Sequence, residues 1–577
     1  MGSSIRNRLP FAARSAWKLA PVLVVWVIME AVIDPRGNFP LNDDWLFGTL
    51  VQRMLAGDSF QPGGIPNMTL FTHIAWGALA CYPFGCDDEM LRFFTILWGF
   101  AGLISIYYFI RAVQASGGLA LVCTMLVAFN PLYISMANTY MTDVPFTVMF
   151  VLSATWFIQN IKGQSGYFIV AGTLMACVAT LSRQIALAVP LSFSLCALAI
   201  TISRPGRPKL RTFLCALLPF IVCVAVFVVF ELWLAHSNRL PRGQADATAM
   251  LVGAALNPMW SLRQVAGQTF VAAAYYGWFL TPLLLIIPWW TFREGDPKWR
   301  KALPPAAAII VGALALVSVV QTGHMMPIHM NVIIPQGIGP LTLHDAYPYG
   351  NGVLKLTPIP PLPATVWFPI TVCAVFGAAG LAAAFVPAAM LPFRALIFGL
   401  AANDWVVVFL ILTACLYLFP TFLIFWFDRY LLPPLPFLLA ILCAGKSIVR
   451  PISVRARSAF VAAGLVLVGT GLFAALGTAD YLAWNRARWA ALDVALKIPN
   501  ITSKHIDGGI EFNGRYNAAE EAPHAADKSW WWVWDDDVVV AFAPFPGYRV
   551  IQEFRFSSWL HPDYNRIVLL RRNPRKP

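Results

Sequence analysis

Apolar residues in this chain gather into long runs separated by short polar stretches, and the length of the runs sets the architecture. A run of roughly 17 to 25 apolar residues can cross a bilayer as a helix. About thirteen such spans are predicted, at 16–33, 90–111, 117–135, 144–160, 166–181, 184–201, 212–234, 267–290, 303–322, 364–388, 395–419, 430–445 and 458–477. Two regions depart from the pattern. Residues 34–89 hold an amphipathic stretch from Trp45 to Leu55, with Trp45, Leu46, Leu50, Val51, Met54 and Leu55 set against Gln52, Arg53 and Asp58. A Gly-Pro-rich turn follows, then a second apolar stretch from Leu70 to Cys81; helices too short to span, with a polar face, lie along the interface. After Thr478 the composition changes: 480–496 reads as a helix, while 537–542, 548–556 and 566–571 read as strands, broken by Gly508-Gly509 and Pro544-Phe545-Pro546-Gly547. The expected organisation is a transmembrane unit of residues 1–477 and a small α+β domain of residues 478–577. A second long loop, 323–363, shows no clear structure of its own.

Composition narrows the class further. The 577 residues are 59% hydrophobic and 12% charged, against about 25% charged in soluble domains. A net charge of +13 would suit a nucleic-acid partner, but the basic residues sit in clusters between spans, where they report topology instead. With the amino terminus (Arg6, Arg8, Arg14, Lys18) cytoplasmic, the same side receives Arg111, Lys162, Arg204 to Arg211, Arg293 to Lys301, Arg394 and Lys446 to Arg457. That side then carries roughly twice as many basic residues as the opposite loops, as the positive-inside rule requires. It follows that 34–89, 136–143, 182–183, 235–266, 323–363, 420–429 and the tail lie on the outer face. A bacterial inner membrane with a periplasmic tail, and no nucleic-acid partner, is the expected setting. The first span leads through Val27-Ile28-Met29-Glu30-Ala31-Val32 into Asp34-Pro35 without a small-x-small cleavage site, so it reads as a retained anchor.

The outer ends of several spans carry the chemistry. Asp43 and Asp44 follow the first span, and paired carboxylates at a membrane boundary are costly unless they are used. Asp143 opens the fourth span, Arg183 sits at the hairpin between the fifth and sixth, and Asp428-Arg429-Tyr430 precedes the twelfth. A guanidinium donates two parallel hydrogen bonds to a phosphate, and a carboxylate serves as general base to a hydroxyl or as a ligand to a divalent metal. Each residue also has a purely structural reading. Asn42 or Asp43 would cap the amphipathic helix and Asp143 the fourth span, ahead of Pro145; Arg183 would reach lipid headgroups and Arg429 would pair with Asp428.

His324, His329, His344 and Asp345 in the long outer loop lack metal-ligand spacing, which favours a lid or substrate-ordering element. Trp530-Trp531-Trp532-Val533-Trp534 either stacks sugars or packs the tail against the membrane part, and Asp535-Asp536-Asp537 reads as a solvated turn. Cys81 and Cys86 flank a Pro-Gly turn and either close a short disulfide or stay as two small apolar residues.

Asn42-Asp43-Asp44-Trp45 after the first span, Thr142-Asp143-Val144-Pro145 opening the fourth and Arg429-Tyr430-Leu431-Leu432-Pro433 opening the twelfth share one face with a carboxy-terminal outer domain. In that order they resemble the GT-C membrane glycosyltransferases, above all the branch of the protein O-mannosyltransferases and the lipid A aminoarabinose transferase. The resemblance implies a polytopic α-helical fold that moves a sugar, with inversion, from a polyprenyl-phosphate carrier to an acceptor hydroxyl at the outer face. It gives Asp43 the role of general base, with Asp44 supporting it or contacting the acceptor or a metal. Asp143 orients the site, and Arg183 and Arg429, with Tyr430 beside them, hold the carrier phosphate. A divalent metal, where one is used, falls to Asp44 and Asp143. Two departures stand out: Thr72-His73-Ile74 occupies the place of a His-Pro-Pro-like stretch, and Arg183-Gln184 that of a Lys-Gly. The competing reading is a transporter or flippase of lipid-linked sugars, which calls for charges in mid-span and a two-half repeat.

Overall fold

The computed structural model describes residues 17–203, 210–287, 298–346, 359–391, 401–424, 426–446, 454–518 and 532–574. Arg6, Arg8, Arg14, Arg204, Arg207, Lys209, Arg293, Arg394, Arg450, Trp530 and Trp531, together with the span ends at 288–290 and 395–400, lie outside the described residues. The helices are α1 (Ala20–Ile33), α2 (Asp44–Leu55), α3 (Phe71–Cys81), α4 (Asp88–Ala112), α5 (Gly117–Ala128), α6 (Pro131–Ala137), α7 (Asp143–Ile161), α8 (Tyr167–Thr180), α9 (Ala188–Ser203), α10 (Leu210–His236), α11 (Arg242–Leu256), α12 (Pro258–Ile286), α13 (Lys298–Thr322), α14 (Ala364–Ala389), α15 (Ala402–Leu423), α16 (Leu435–Cys443), α17 (Val454–Ala495) and α18 (Ile510–Asn517).

Among the described residues nine helices are long and apolar enough to cross a membrane, and α5 with α6 forms a tenth span bent by 63°. The bend falls at Asn130-Pro131, where proline cannot continue the hydrogen-bond ladder and the Asn130 side chain caps the new helix by accepting from Leu132 and Tyr133 N–H. The other three predicted spans appear as shorter helices, α1, α8 and α16. The chain is thus a multi-pass helical membrane protein. Membrane-spanning helices gain little from burying apolar surface against one another, so close approach through small residues matters. Gly277 of α12 and Gly377 of α14 show this: a Cβ on Gly377 would lie 2.6 Å from the Cα of Gly277 and nearer still to its carbonyl.

The first loop, residues 34–89, contains the two expected short helices, α2 and α3. In α2 the buried positions Asp44, Phe47, Gly48 and Val51 recur at i, i+3, i+4 and i+7, a single stripe turned into the protein. Arg92 of α4 reaches back to anchor the loop's entry, donating to the carbonyls of Pro35, Gly37 and Phe39 at 2.8, 2.9 and 2.5 Å.

The long helix α17 runs 42 residues without a break, so the final span and the helix expected at 480–496 are one element. Its far end packs against a four-stranded sheet of β3 (Ile506–Asp507), β4 (Val538–Ala541), β5 (Tyr548–Arg555) and β6 (Arg566–Arg572), in the order β3-β4-β6-β5. β3 and β4 are parallel and the other pairs antiparallel, with Val540 opposite Leu569. The long outer loop is not structureless: it makes a two-stranded hairpin, β1 (Ile333–Ile334) with β2 (Gly337–Ile338). That hairpin, β4, β6 and α17 share one apolar core with the membrane part.

Candidate active site

Asp43 immediately precedes α2, and its side chain makes no capping bond to the helix; only its carbonyl does, accepting from Leu46 and Phe47 N–H. The carboxylate instead faces Arg429, whose Nη2 lies 3.1 Å from Oδ2. The Asp43 side chain is 43% exposed whereas Arg429 is buried, so the pair has one wet and one dry member. Asp44 is different. It is buried on the α2 stripe, and its Oδ2 accepts from the backbone N–H of Tyr140 at 2.8 Å and of Leu41 at 3.4 Å. Burial drives its pKa well above the usual carboxylate range, against the pull of the Tyr140 N–H and of Arg92. Asp44 therefore ties the first loop to the segment just before α7, and Asp43 is the member of the pair open to a substrate.

Asp143 is the first residue of α7, is fully buried and makes no capping bond. Its Oδ1 lies 2.9 Å from Arg183 Nη2, an ion pair without hydrogen-bond alignment, so those atoms keep unfilled hydrogen-bonding capacity. Arg183 stands extended before a short 3-10 turn, and its Nε donates to Thr142 Oγ1 at 2.8 Å. The hairpin carrying it is clamped by the first loop: Leu70 and Thr72 N–H donate to Ser182 and Leu181 carbonyls, and Gln184 Nε2 donates to Asn67 O at 2.7 Å.

Tyr430 joins the two halves of the site. The guanidinium carbon of Arg183 lies 5.4 Å from its ring centroid and that of Arg429 lies 5.6 Å from it, each within cation–π range. Phe427 adds a second ring 5.0 Å from Arg429. Burial works against the charge of Arg429, and Tyr430, Asp43 and Asp143 outweigh it. Among the described residues, its buried Nε and Nη1 have no hydrogen-bond partner. Asp428 does not pair with Arg429 through its side chain; its oxygens accept from Val332 N–H at 3.0 and 3.1 Å and Ile333 N–H at 2.7 Å, pinning the long loop beside the site. Burial, opposed by those N–H groups, pushes Asp428 up to about 7.

The histidines are accounted for structurally. His73 stacks on Tyr140 at 4.3 Å, with Nε2 3.1 Å from its carbonyl, and burial holds its pKa down to about 4, so the ring is neutral. His329 stacks on Trp426, His344 pairs with Asp507 of the tail at 3.2 Å, and His324 is exposed. Asp345 accepts from Phe542 and Ala543 N–H. Trp532 meets Trp45 edge-on at 5.5 Å, so that part of the tryptophan cluster packs the tail onto α2. Cys81 and Cys86 are free thiols.

The one group of three metal-ligating side chains within 4.8 Å among the described residues is His505, Asp535 and Asp537 in the tail. Asp44 and Asp143 belong to no such group, the first held by backbone N–H groups and the second by Arg183. Reading the sequence also missed Asn42 and Glu511 as partners: the Asn42 N–H donates to Glu511 Oε1 of α18 at 3.1 Å. The visible hint was the acid Glu511, which with Asp507 flanks Gly508-Gly509.

No family model and no curated protein sequence matches the chain. Solved structures of similar fold exist at low identity. One is ArnT from Cupriavidus metallidurans bound to undecaprenyl phosphate, 12% identical with a TM-score of 0.43 over 96% of this chain and 98% of that chain. Another is the S. cerevisiae protein O-mannosyltransferase Pmt1-Pmt2 complex bound to the sugar donor, 16% identical with a TM-score of 0.32 over 40% of this chain; the likeness spans only 35% of that chain. A third is the Archaeoglobus fulgidus oligosaccharyltransferase in the apo form, 12% identical with a TM-score of 0.40 over 84% of this chain and 59% of that one.

Proposed function

We propose that the chain is a membrane glycosyltransferase that moves a sugar from a polyprenyl-phosphate carrier to an acceptor hydroxyl at the periplasmic face of a bacterial inner membrane, with inversion. The observation that supports this most is Arg429: a buried guanidinium with Nε and Nη1 unfilled, standing over the half-exposed carboxylate of Asp43. A leaving phosphate has a low pKa and needs cationic stabilisation more than a proton, which two free N–H edges and the nearby Arg183 supply. The acceptor hydroxyl gives its proton to Asp43 as its oxygen attacks the anomeric carbon. The bond from that carbon to the phosphate oxygen breaks on the opposite side, and its electron pair stays on the phosphate. Donor phosphate drawing on Arg429 also loosens the Asp43 contact and frees the base. Asp143 holds Arg183 in place, and no step requires a metal.

The test is to incubate purified protein in lipid discs with a panel of polyprenyl-phosphate sugars and measure released carrier phosphate. Wild type and Asp44→Asn are expected to release it and Asp43→Asn to be inactive while remaining folded. Release by an Asp43→Asn/Asp44→Asn double variant, or none by wild type with any donor, sinks the reading. A transporter would move the donor across the bilayer with its phosphate bond intact.

A further inference from the structure

We propose that Glu511, contributed by the tail domain, is a positioning residue for Asp43; this rests on Asp43 being the base. Glu511 is fully buried, and its Oε1 accepts the Asn42 N–H across 469 residues of chain. Its Oε2 takes the Thr342 hydroxyl and Arg488 Nη1, both at 2.7 Å. Arg488, also buried, donates from Nε to the Gly508 carbonyl at 2.8 Å and from Nη1 to Asn485 Oδ1 at 3.2 Å. One carboxylate thereby joins the first loop, the long outer loop, α17 and α18.

Asn42 has φ = +57°, a left-handed turn that asparagine tolerates better than other side chains do and that sets the direction in which the chain enters α2. Its N–H is the group Glu511 holds, one residue before Asp43. Asp43 has no capping bond of its own, so the direction of its carboxylate towards Arg429 follows from how residue 42 is set. The tether is stiff because α18 is seated on α2: a Cβ on Gly514 would lie 2.6 Å from the Trp45 ring, and Arg515 pairs with Asp88. Misplacing a catalytic group by about 1 Å costs up to about a hundredfold in rate.

Glu511→Ala is compared with wild type in two readouts: kcat and donor KM for carrier phosphate release, and hydrogen exchange at Asn42. The expected result is a loss of about 10- to 100-fold in kcat with donor KM within about twofold, and faster exchange at Asn42. Glu511→Gln, which keeps an acceptor for the Asn42 N–H, recovers most of the rate. Should Glu511→Ala not fold, the double variant Glu511→Met/Arg488→Met replaces it, since it removes the buried charges together. An unchanged kcat overturns the proposal. So does a fall in kcat with a rise in donor KM that Glu511→Gln does not rescue, the pattern of general loosening. Wild type that releases no carrier phosphate refutes the transferase reading itself, an outcome separate from either.

Discussion

Replacing Arg429 by methionine should abolish sugar transfer while leaving the protein as stable as before. Arg429 is 2% exposed, with Nε and Nη1 unfilled. An unsatisfied buried donor costs about 1–3 kcal/mol, so two cost about 2–6 kcal/mol. Against this stand one charge-assisted bond to Asp43, about 1.5–3 kcal/mol, and ring contacts with Phe427 and Tyr430, about 0.5–2 kcal/mol each. The terms cancel to within a few kcal/mol, and a methionine of similar length fills the space with neither. Asp43, half-exposed, is not stranded by the loss. The effect on catalysis is not balanced in this way. Two charge-assisted bonds to the leaving phosphate are worth about 3–6 kcal/mol, which at about 1.4 kcal/mol per decade is a loss of roughly 10² to 10⁴ in kcat. Thermal unfolding in lipid discs and carrier phosphate release on the same preparation read both quantities. A variant that keeps its rate within about threefold, or one that unfolds about 10 °C lower, refutes the reasoning.

Two further predictions concern stability. His344 is pulled down by burial, yet its bond to Asp507 and the charges of Asp507, Asp536 and Asp345 leave its pKa raised, while burial pushes Asp345 up to about 7. Raised groups stabilise fully below their unfolded values, near 6.5 for His and 3.9 for Asp, and lose that contribution as pH rises through the folded ones. Asp507, lowered chiefly by His344 against burial, loses its contribution only in acid, as pH falls below about 4. Docking of the long loop on the tail should therefore weaken as pH rises through about 7, the value to which Asp345 is pushed, and further as the raised His344 loses its proton, seen as faster hydrogen exchange at residues 341–346; a flat profile counts against it. Gly377→Val drives a side chain into the Gly277 backbone and should cost about 3 kcal/mol, near the upper end for overpacking. Reversible unfolding in detergent measures it, and a change below about 0.5 kcal/mol would mean the helices part freely.

The spans were legible because membrane helices announce themselves by length, and the strands of the tail because β-branched and apolar runs stand between Pro and Gly turns. Asp43, Asp143, Arg183, Arg429 and Tyr430 could be gathered onto one face by topology alone, and they stand together in space. The different settings of Asp43 and Asp44 follow from helical phase: Asp44 shares that of Phe47, Gly48 and Val51, and Asp43 lies outside the helix. The period, read one residue further back, separates them. Glu511, Arg488 and Thr342 were not legible, because their meaning lies in contacts across hundreds of residues that no local pattern encodes. The hairpin at residues 333–338 was missed for a similar reason: two-residue strands carry no periodicity, and Asp428 from a distant segment holds their backbone.

The bond between Asn42 and Glu511 also forms late in synthesis. A chain threaded into the membrane from its amino end meets the lipid with Asp43 early in synthesis, but residue 511 leaves the ribosome only after all the spans have been made. Until then the first loop lacks the carboxylate that holds the Asn42 N–H. On the proposed role of Glu511, a nascent or truncated chain would be inserted, and even helical throughout, without the tether that sets the first loop.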